Sequence, residues 1–164
     1  MVIFRLASLV LLAMWVGGLA VLGLVAAPTI FSTLEAHDPA TGRVVAGLVF
    51  GAVFERFQYW SWVLGTLFVA TLAARALLGP RPRRLTWRLW AVAGMLALSL
   101  AGTVFVAPRI DQIRREVSGS VSSLPDNDPR KGEFGRLHAV SSVLMLTTLV
   151  LGVGLFWLEA EERH

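Results

Sequence analysis

Four uncharged apolar runs constrain the fold of this chain more than any other feature of its sequence. The first extends over residues 6–27, and the others cover 57–74, 89–107 and 137–158. A helix of about 20 apolar residues crosses the roughly 30 Å hydrocarbon core of a bilayer. Because lipid offers no hydrogen-bond partners, the backbone of such a segment has to pair within itself as a helix. The runs therefore predict an all-α membrane protein, a bundle of four transmembrane helices.

The chain is predicted to form one transmembrane domain over residues 1–164. Only 16% of its residues are charged, against about 25% in an average soluble domain. The first run is longer than the apolar region of a signal peptide, and a proline directly after it is unfavourable for cleavage, so we interpret it as a retained span. The predicted spans are about 6–28, 55–78, 87–108 and 136–158.

The arginines indicate the orientation of the helices. The connection between the second and third apolar runs, residues 75–88, contains five arginines and no acid, and short basic connections stay in the cytoplasm. With four spans, the N- and C-termini then lie on the cytoplasmic side. The net charge of +4 does not predict a nucleic-acid partner, because the arginines lie at the ends of apolar runs, where they meet the bilayer surface.

Two dipeptides recur in the same order and predict an internal repeat. An Asp-Pro pair precedes the second and the fourth span, and an Ala-Pro pair ends the first and the third. Asp is a good N-cap and Pro suits the first helical position, so each Asp-Pro pair predicts a helix start. We interpret residues 1–78 and 85–160 as tandem helical hairpins in the same orientation, a parallel repeat. The pairs are Asp38-Pro39, Asp128-Pro129, Ala27-Pro28 and Ala107-Pro108.

Helices 2 and 3 are predicted to extend beyond the outer surface of the membrane. Apolar residues continue at helical spacing through residues 110–124 with charges between them, and residues 44–54 prolong the second helix in the same direction. The two extensions are expected to pack on each other. The small polar residues 118–123 predict that the extension of helix 3 frays there.

Counting a membrane thickness from the inner charges brings polar residues of all four spans to one outer level. The structural interpretation is a set of interfacial charges that reach water or pair across helices, for example Glu55 with Arg109 or Arg136. The functional interpretation is a binding mouth or an entry to a proton or ion path. The candidate binding residues of this outer cluster are Glu55, Arg56, Arg109, Asp111, Arg136, His138 and Ser141.

The fourth span carries hydroxylated and small residues on one face from His138 inward. Such residues usually mediate helix packing in lipid; the alternative is a polar track. No catalytic motif is present, and the absence of cysteine excludes thiolate metal sites, so we predict no catalytic residues, no metal site and no enzyme. No cofactor is predicted either, although single axial ligation of a haem or a chlorin by His138 stays open.

Two segments carry a family resemblance: Ala-Pro-Arg-Ile-Asp at 107–111 and Phe-Gly-Arg-Leu-His at 134–138. In this order they resemble the bacterial branch of the transmembrane protein 205-like family, a membrane domain of unknown function that is distantly similar to copper-resistance-D-like proteins. Those distant relatives use histidines in their spans, whereas the first span here has none. The resemblance implies a small four-helix protein of the bacterial inner (cytoplasmic) membrane.

Three functions follow as hypotheses. The first is a non-enzymatic accessory or scaffold subunit of a larger membrane complex, whose partners are the bilayer and other membrane protein subunits or further copies of itself. The second is a transporter or permeation element for a small cation, a proton or a metal. The third is a redox- or pigment-binding membrane subunit that uses His138.

Overall fold

A computed structural model describes residues 2–79, 82–117 and 120–161. Helix α1 joins Val2–Val21, a π-helical segment Leu22–Ala26, and Ala27–His37. Helix α2 is Gly42–Leu78. Helix α3 joins Leu85–Ala101, a π-helical segment Gly102–Val106, and Ala107–Glu116. A short 3₁₀ turn, Val121–Ser123, precedes helix α4, Pro129–Ala160.

All four helices are long and apolar enough to cross a membrane, and the described part of the chain contains no strand. The predicted all-α class and the number of spans are confirmed. Many large apolar side chains point away from the bundle, among them Leu24, Phe105 and Val150. Lipid is the solvent that such surfaces require, so the chain is an integral membrane protein.

Each Ala-Pro pair follows a π-helical segment instead of ending its helix. The Ala27 N–H donates to the Leu22 carbonyl and the Ala107 N–H donates to the Gly102 carbonyl, both five residues back. Proline lacks an N–H and crowds the carbonyl four residues earlier, and a single wider turn relieves that conflict. The helix continues past Pro28 to His37, and the end of the first span at Pro28 stays a prediction.

The two Asp-Pro pairs have different outcomes. Asp128 caps α4 by accepting from the Arg130 N–H at 2.9 Å, with Pro129 in the first turn. Asp38 instead closes a turn by accepting from the N–H groups of Ala40 and Thr41, and α2 begins only at Gly42. A methyl group at Gly42 would collide with the Leu34 carbonyl, so the chain needs a glycine to turn this tightly.

The four helices form a ring in chain order. Neighbours along the chain pack on each other, and α4 closes the ring by packing on α1. For reference, the termini end of the bundle is the end where α1 begins and α4 ends, and the far end is the opposite one. The buried apolar core is Leu12, Trp15, Leu19, Leu64, Phe68, Leu72, Val92, Met95 and Leu155.

Two glycines let the helices approach closely around this core. A Cβ atom at Gly65 would lie 2.7 Å from Leu96 and 3.0 Å from the Trp15 ring. A Cβ atom at Gly152 would lie 2.5 Å from Val16 and 3.1 Å from Met95. Small residues of this kind bring helix backbones together in lipid, where close packing replaces the hydrophobic effect as the source of association.

Candidate functional site

The most enclosed charged group in the described chain is the Glu159 carboxylate, at the termini end. Its Oε2 accepts from Arg75 Nη1 at 2.8 Å and its Oε1 accepts from Arg88 Nη1 at 2.5 Å. Glu159 is 0% exposed and Arg88 is 1% exposed. A charge is buried at acceptable cost only when it is paired and hydrogen-bonded, and both carboxylate oxygens are paired here.

The same cluster reaches all four helices. Arg88 Nη2 also donates to the Leu158 carbonyl at 2.8 Å, and Arg5 Nη2 donates to the Ala160 carbonyl at 3.2 Å. Arginines from α1, α2 and α3 therefore converge on the last turn of α4. Because both oxygens are hydrogen-bonded and the side chain has no exposure to water, the carboxylate is arranged to hold helices together.

Arg75, Arg88 and Glu159 are among the inner charges from which membrane depth is counted in the sequence, and the sequence does not predict that they meet. The signal that could have joined them is that an acid and three arginines lie at one predicted depth on four helices. Charges at membrane depth are costly and are expected to pair.

A second polar group lies between α2 and α3. Trp62 Nε1 donates to Ser99 Oγ at 3.1 Å, and buried Gln58 donates a long 3.4 Å bond to the Ser99 carbonyl. That carbonyl also accepts from Thr103 Oγ1, one residue into the π-helical segment, where wider turns free backbone acceptors. Among the described residues, the buried Ser61 hydroxyl has no hydrogen-bond partner.

The predicted outer cluster lies at the far end and only part of it is joined. Arg109 pairs with Glu133 through bonds of 2.6 and 3.1 Å and also contacts Gln112 at 2.8 Å. Its partner is therefore neither Glu55 nor any residue chosen from the sequence. Asp111 lies 3.7 Å from Arg114 on the same helix.

Arg114 connects three helices at the far end and was missing from the predicted cluster. Its guanidinium lies 5.8 Å from the centre of the Phe134 ring on α4. Methyl groups added at Gly47 and Gly51 of α2 would lie 3.1 and 3.4 Å from its Nη atoms. The side chain thus occupies a shallow site that two glycines leave open, a signal that glycines four residues apart on one helix face provide.

The remaining predicted residues stay apart in the described structure. Glu55, Arg56, Arg136 and His138 are exposed, Ser141 is half-buried, and no ion pair joins any of them to another described residue. On the face of α4 that starts at His138, hydroxyl groups bond to their own helix. Such internal pairing fits a packing face better than a polar track. The bonds on this face are Ser142 to the His138 carbonyl and Thr148 to the Leu144 carbonyl.

Within the described ranges, no three His, Cys, Asp or Glu side chains lie close enough to share a metal ion. The loop before α4 is organised by ion pairs instead. The Arg130 side chain, followed by the Arg130 N–H, lowers the pKa of Asp128 to about 2. Lys131 pairs with Asp126 at 2.7 Å and lowers the pKa of that carboxyl as well.

Fold and site together define a small polytopic α-helical membrane protein with interhelical ion pairs at both ends of its bundle. The family model described as Domain of unknown function (DUF4149) matches residues 10–118, more than half of the chain, and the chain belongs to that family. No match was found among curated proteins or among solved structures.

Proposed function

We propose that this protein is a non-enzymatic accessory or scaffold subunit of a membrane complex, which binds a further subunit through the far-end part of α2. The observation that carries the proposal is an exposed apolar stripe on that helix. Its members recur at the i, i+3, i+4, i+7 and i+8 spacing of one helix face, and four of them are 41–57% exposed. The stripe consists of Val45, Leu48, Val49, Ala52 and Val53.

The stripe is expected to lie outside the hydrocarbon. Helix α2 has 37 residues and is about 55 Å long, against roughly 30 Å of hydrocarbon. Twenty residues separate the buried Arg75 from Glu55, which spans about 30 Å. Exposed Tyr59 and Trp60 lie one turn inward from Glu55, where interfacial aromatic residues are enriched. An apolar face beyond that level meets water unless a partner covers it.

The other face of the same segment is already occupied, so the stripe is held rigidly. Phe50 packs between Phe31 of α1 and Phe54, with ring centroids 6.5 and 6.1 Å apart. The Arg114 guanidinium covers Gly47 and Gly51 from the side of α3. These contacts fix the helix and leave the stripe as the side available for a partner.

A second copy of this chain fits the stripe best. Glu55 and Arg56 follow the stripe directly, and both are exposed without an ion pair to a described residue. In a two-fold pair of parallel α2 helices, Glu55 of one copy faces Arg56 of the other, and the reverse pairing forms by symmetry. The apolar stripe is then buried against itself.

An internal duplication supports a scaffold role. In such a duplication the bundle consists of two copies of one helix-packing unit. An offset of 80 residues relates Trp15 to Met95 and Val16 to Leu96, and an offset of 87 relates Gly65 to Gly152. Gly65 approaches Trp15 and Leu96, whereas Gly152 approaches Met95 and Val16. Each contact is the other with the two halves exchanged.

The two π-helical segments are also 80 residues apart, since Leu22–Ala26 corresponds to Gly102–Val106. We infer tandem hairpins over residues 1–78 and 85–160, and a relationship to the bacterial branch of the transmembrane protein 205-like family. The basic connection between the hairpins favours a cytoplasmic position for the termini end, in a bacterial inner membrane.

A photoreactive amino acid at Leu48, activated in native membranes, tests the proposal. The expected adduct has about twice the 17.8 kDa mass of one chain, and the same probe at lipid-facing Val143 gives none. A discrete adduct with a different protein supports an accessory subunit and overturns the second copy. An absence of any protein adduct at Leu48 contradicts both.

Charge exchange sharpens the test of the second copy. Glu55→Arg places like charges opposite each other and should reduce the yield of the double-mass adduct. Combining Glu55→Arg with Arg56→Glu restores opposite charges and should restore the yield. Equal yields from the single and the double variant would rule out the two-fold pairing.

A permeation element for a proton or a small cation is the second candidate. The observation in its favour is the unpartnered, buried Ser61 hydroxyl one helical turn from Gln58. Liposomes that contain the protein should then pass the ion faster than empty liposomes, and Gln58→Leu should abolish the difference. The matched variants His138→Ala and Glu55→Gln ask whether the far end contributes. Flux equal to that of empty liposomes removes this candidate.

A further inference from the structure

A groove of about 510 Å³ opens between α3 and α4 near the termini end. Its wall is apolar except at one rim, where Arg84 lies at the start of α3. Gly154 forms part of its floor, and a Cβ atom added there would meet nothing within 4 Å. The volume falls in the 300–1,000 Å³ range typical of small-molecule sites. The lining residues are Arg84, Trp87, Ala91, Val150, Leu151, Gly154, Leu155 and Leu158.

The groove lies at the depth where lipid headgroups meet acyl chains. Trp87, Trp90 and Trp157 are 65–71% exposed at this end of the bundle, and exposed tryptophans of a membrane protein mark the headgroup level. The apolar wall runs from that level toward the bilayer centre, the direction in which an acyl chain extends.

Two lining positions of the groove carry smaller residues than the corresponding positions of the first hairpin. Under the offsets of 80 and 87 residues, Gly154 corresponds to Leu67 and Ala91 corresponds to Leu11, since 154 − 87 = 67 and 91 − 80 = 11. The two positions that are small in the second hairpin carry leucines in the first.

The rim of the groove carries positive charge. Arg84 is exposed and forms no ion pair with a described residue. It has a left-handed backbone conformation, with φ of 56°, which an arginine adopts less readily than glycine or asparagine does. The position corresponding to Arg84 in the first hairpin is Phe4, since 84 − 80 = 4. Arginine at the headgroup level attracts anionic lipids.

We propose that this groove binds an anionic glycerophospholipid, with one acyl chain between α3 and α4 and its phosphate group on Arg84. The apolar wall selects a chain of lipid length, and Arg84 selects the negative headgroup. This site lies at the other end of the bundle from the α2 stripe and does not depend on the proposed subunit contact.

Native mass spectrometry of the full-length protein, loaded with phosphatidylglycerol or with phosphatidylcholine of the same acyl chains, tests the proposal. The wild-type protein should retain one phosphatidylglycerol about fivefold more tightly than phosphatidylcholine. Arg84→Gln should remove this preference and leave phosphatidylcholine binding unchanged. Gly154→Leu should reduce the retention of both lipids, because the side chain fills the groove.

Two matched variants control for charge and for bulk. Arg115→Gln removes an exposed arginine at the far end, and Gly17→Leu adds a leucine at another glycine with nothing within 4 Å. Both should bind lipid like wild type. Ala91→Leu provides a second way to fill the groove should Gly154→Leu unfold. An excess of inorganic phosphate should leave phosphatidylglycerol bound.

Three results would overturn the assignment. One is an unchanged headgroup preference in Arg84→Gln. Another is unchanged retention in the folded groove-filling variant. The third is displacement of the lipid by inorganic phosphate, which would mean that the acyl chain contributes nothing.

Discussion

Glu159 illustrates what a single residue contributes in a membrane bundle. Its carboxylate is enclosed completely and bridges Arg75 and Arg88. Such a pair need not stabilise the fold more than apolar residues of the same size would. Removing one member of the pair is nevertheless costly, because the buried charge that remains loses the charge that it was paired with. The cluster therefore makes the relative rotation of three helices highly specific.

Glu159→Gln is expected to lower the free energy of unfolding by about 3–5 kcal/mol. The substitution keeps the shape of the side chain but leaves two buried guanidinium groups without their carboxylate. Thermal unfolding in detergent micelles measures the change. Glu161→Gln, an exposed position two residues later, serves as the control, and equal unfolding temperatures for the two variants would contradict the structural role of Glu159.

Asp128 provides a prediction of pH dependence. Its folded-state pKa is about 2, below the ordinary value of 3.8. The cap therefore contributes its full stabilisation above pH 3.8 and loses it as the pH falls through about 2. The ¹³C shift of the Asp128 carboxyl in a pH titration should show a midpoint near pH 2. A midpoint near 3.8 would mean that the bonds from Arg130 do not persist in solution.

At the scale of elements, helix contact is decided by where small residues lie. Gly152 and Gly154 are two residues apart on α4, yet only Gly152 faces other helices. A Cβ atom there would meet Val16 and Met95, whereas at Gly154 it would meet nothing within 4 Å. Side chains two residues apart point in different directions on a helix, so a list of glycines does not reveal which one is a contact.

Gly152→Ala is expected to destabilise the protein by about 1–3 kcal/mol, the usual cost of overfilling a packed core. Gly154→Ala is the matched control and should be neutral or stabilising, because alanine favours a helix over glycine by about 1 kcal/mol. Unfolding of both variants in the same detergent provides the measurement. A loss of stability in Gly154→Ala comparable to that in Gly152→Ala would refute the contact assignment.

For the whole molecule, four spans require that both termini lie on one side of the membrane. The absence of cysteine allows single cysteines to report on each end. In intact bacterial cells, a membrane-impermeant maleimide should label His37→Cys and Asp126→Cys. Ile3→Cys and Glu161→Cys should react only after the membrane is permeabilised.

The reverse labelling pattern would retain the four spans and overturn the cytoplasmic termini. Labelling of only one terminal position in intact cells would contradict an even number of spans. The experiment thus separates the number of helices, which the structure gives, from their direction, which rests on the basic connection.

Some of this architecture could be predicted because local chemistry decides it. Asp128 and Pro129 start α4 as expected, since a cap involves only neighbouring residues. Asp38 forms the same kind of bond but closes a turn, and α2 starts at Gly42. The helix past Pro28 was not foreseen, because a wider turn accommodates the proline at a cost that local sequence rules do not include.

The predicted continuation of helix 3 past Pro108 is present, and the helix ends at Glu116. Its extension beyond the membrane surface stays a prediction. The predicted fraying of residues 118–123 falls partly on residues 118 and 119, which lie outside the described residues. Residues 121–123 form a 3₁₀ turn, capped by the Ser120 hydroxyl.

The sequence by itself determined that this protein lies in a membrane and crosses it four times as helices. It could do so because lipid forces every backbone group to pair locally, and apolar length alone then specifies a span. Only the tertiary structure decided which polar groups meet. Glu159 finds Arg75 and Arg88, and Arg109 finds Glu133. These pairings depend on the rotation of each helix about its axis, and helices that are apolar on most sides leave that rotation to packing.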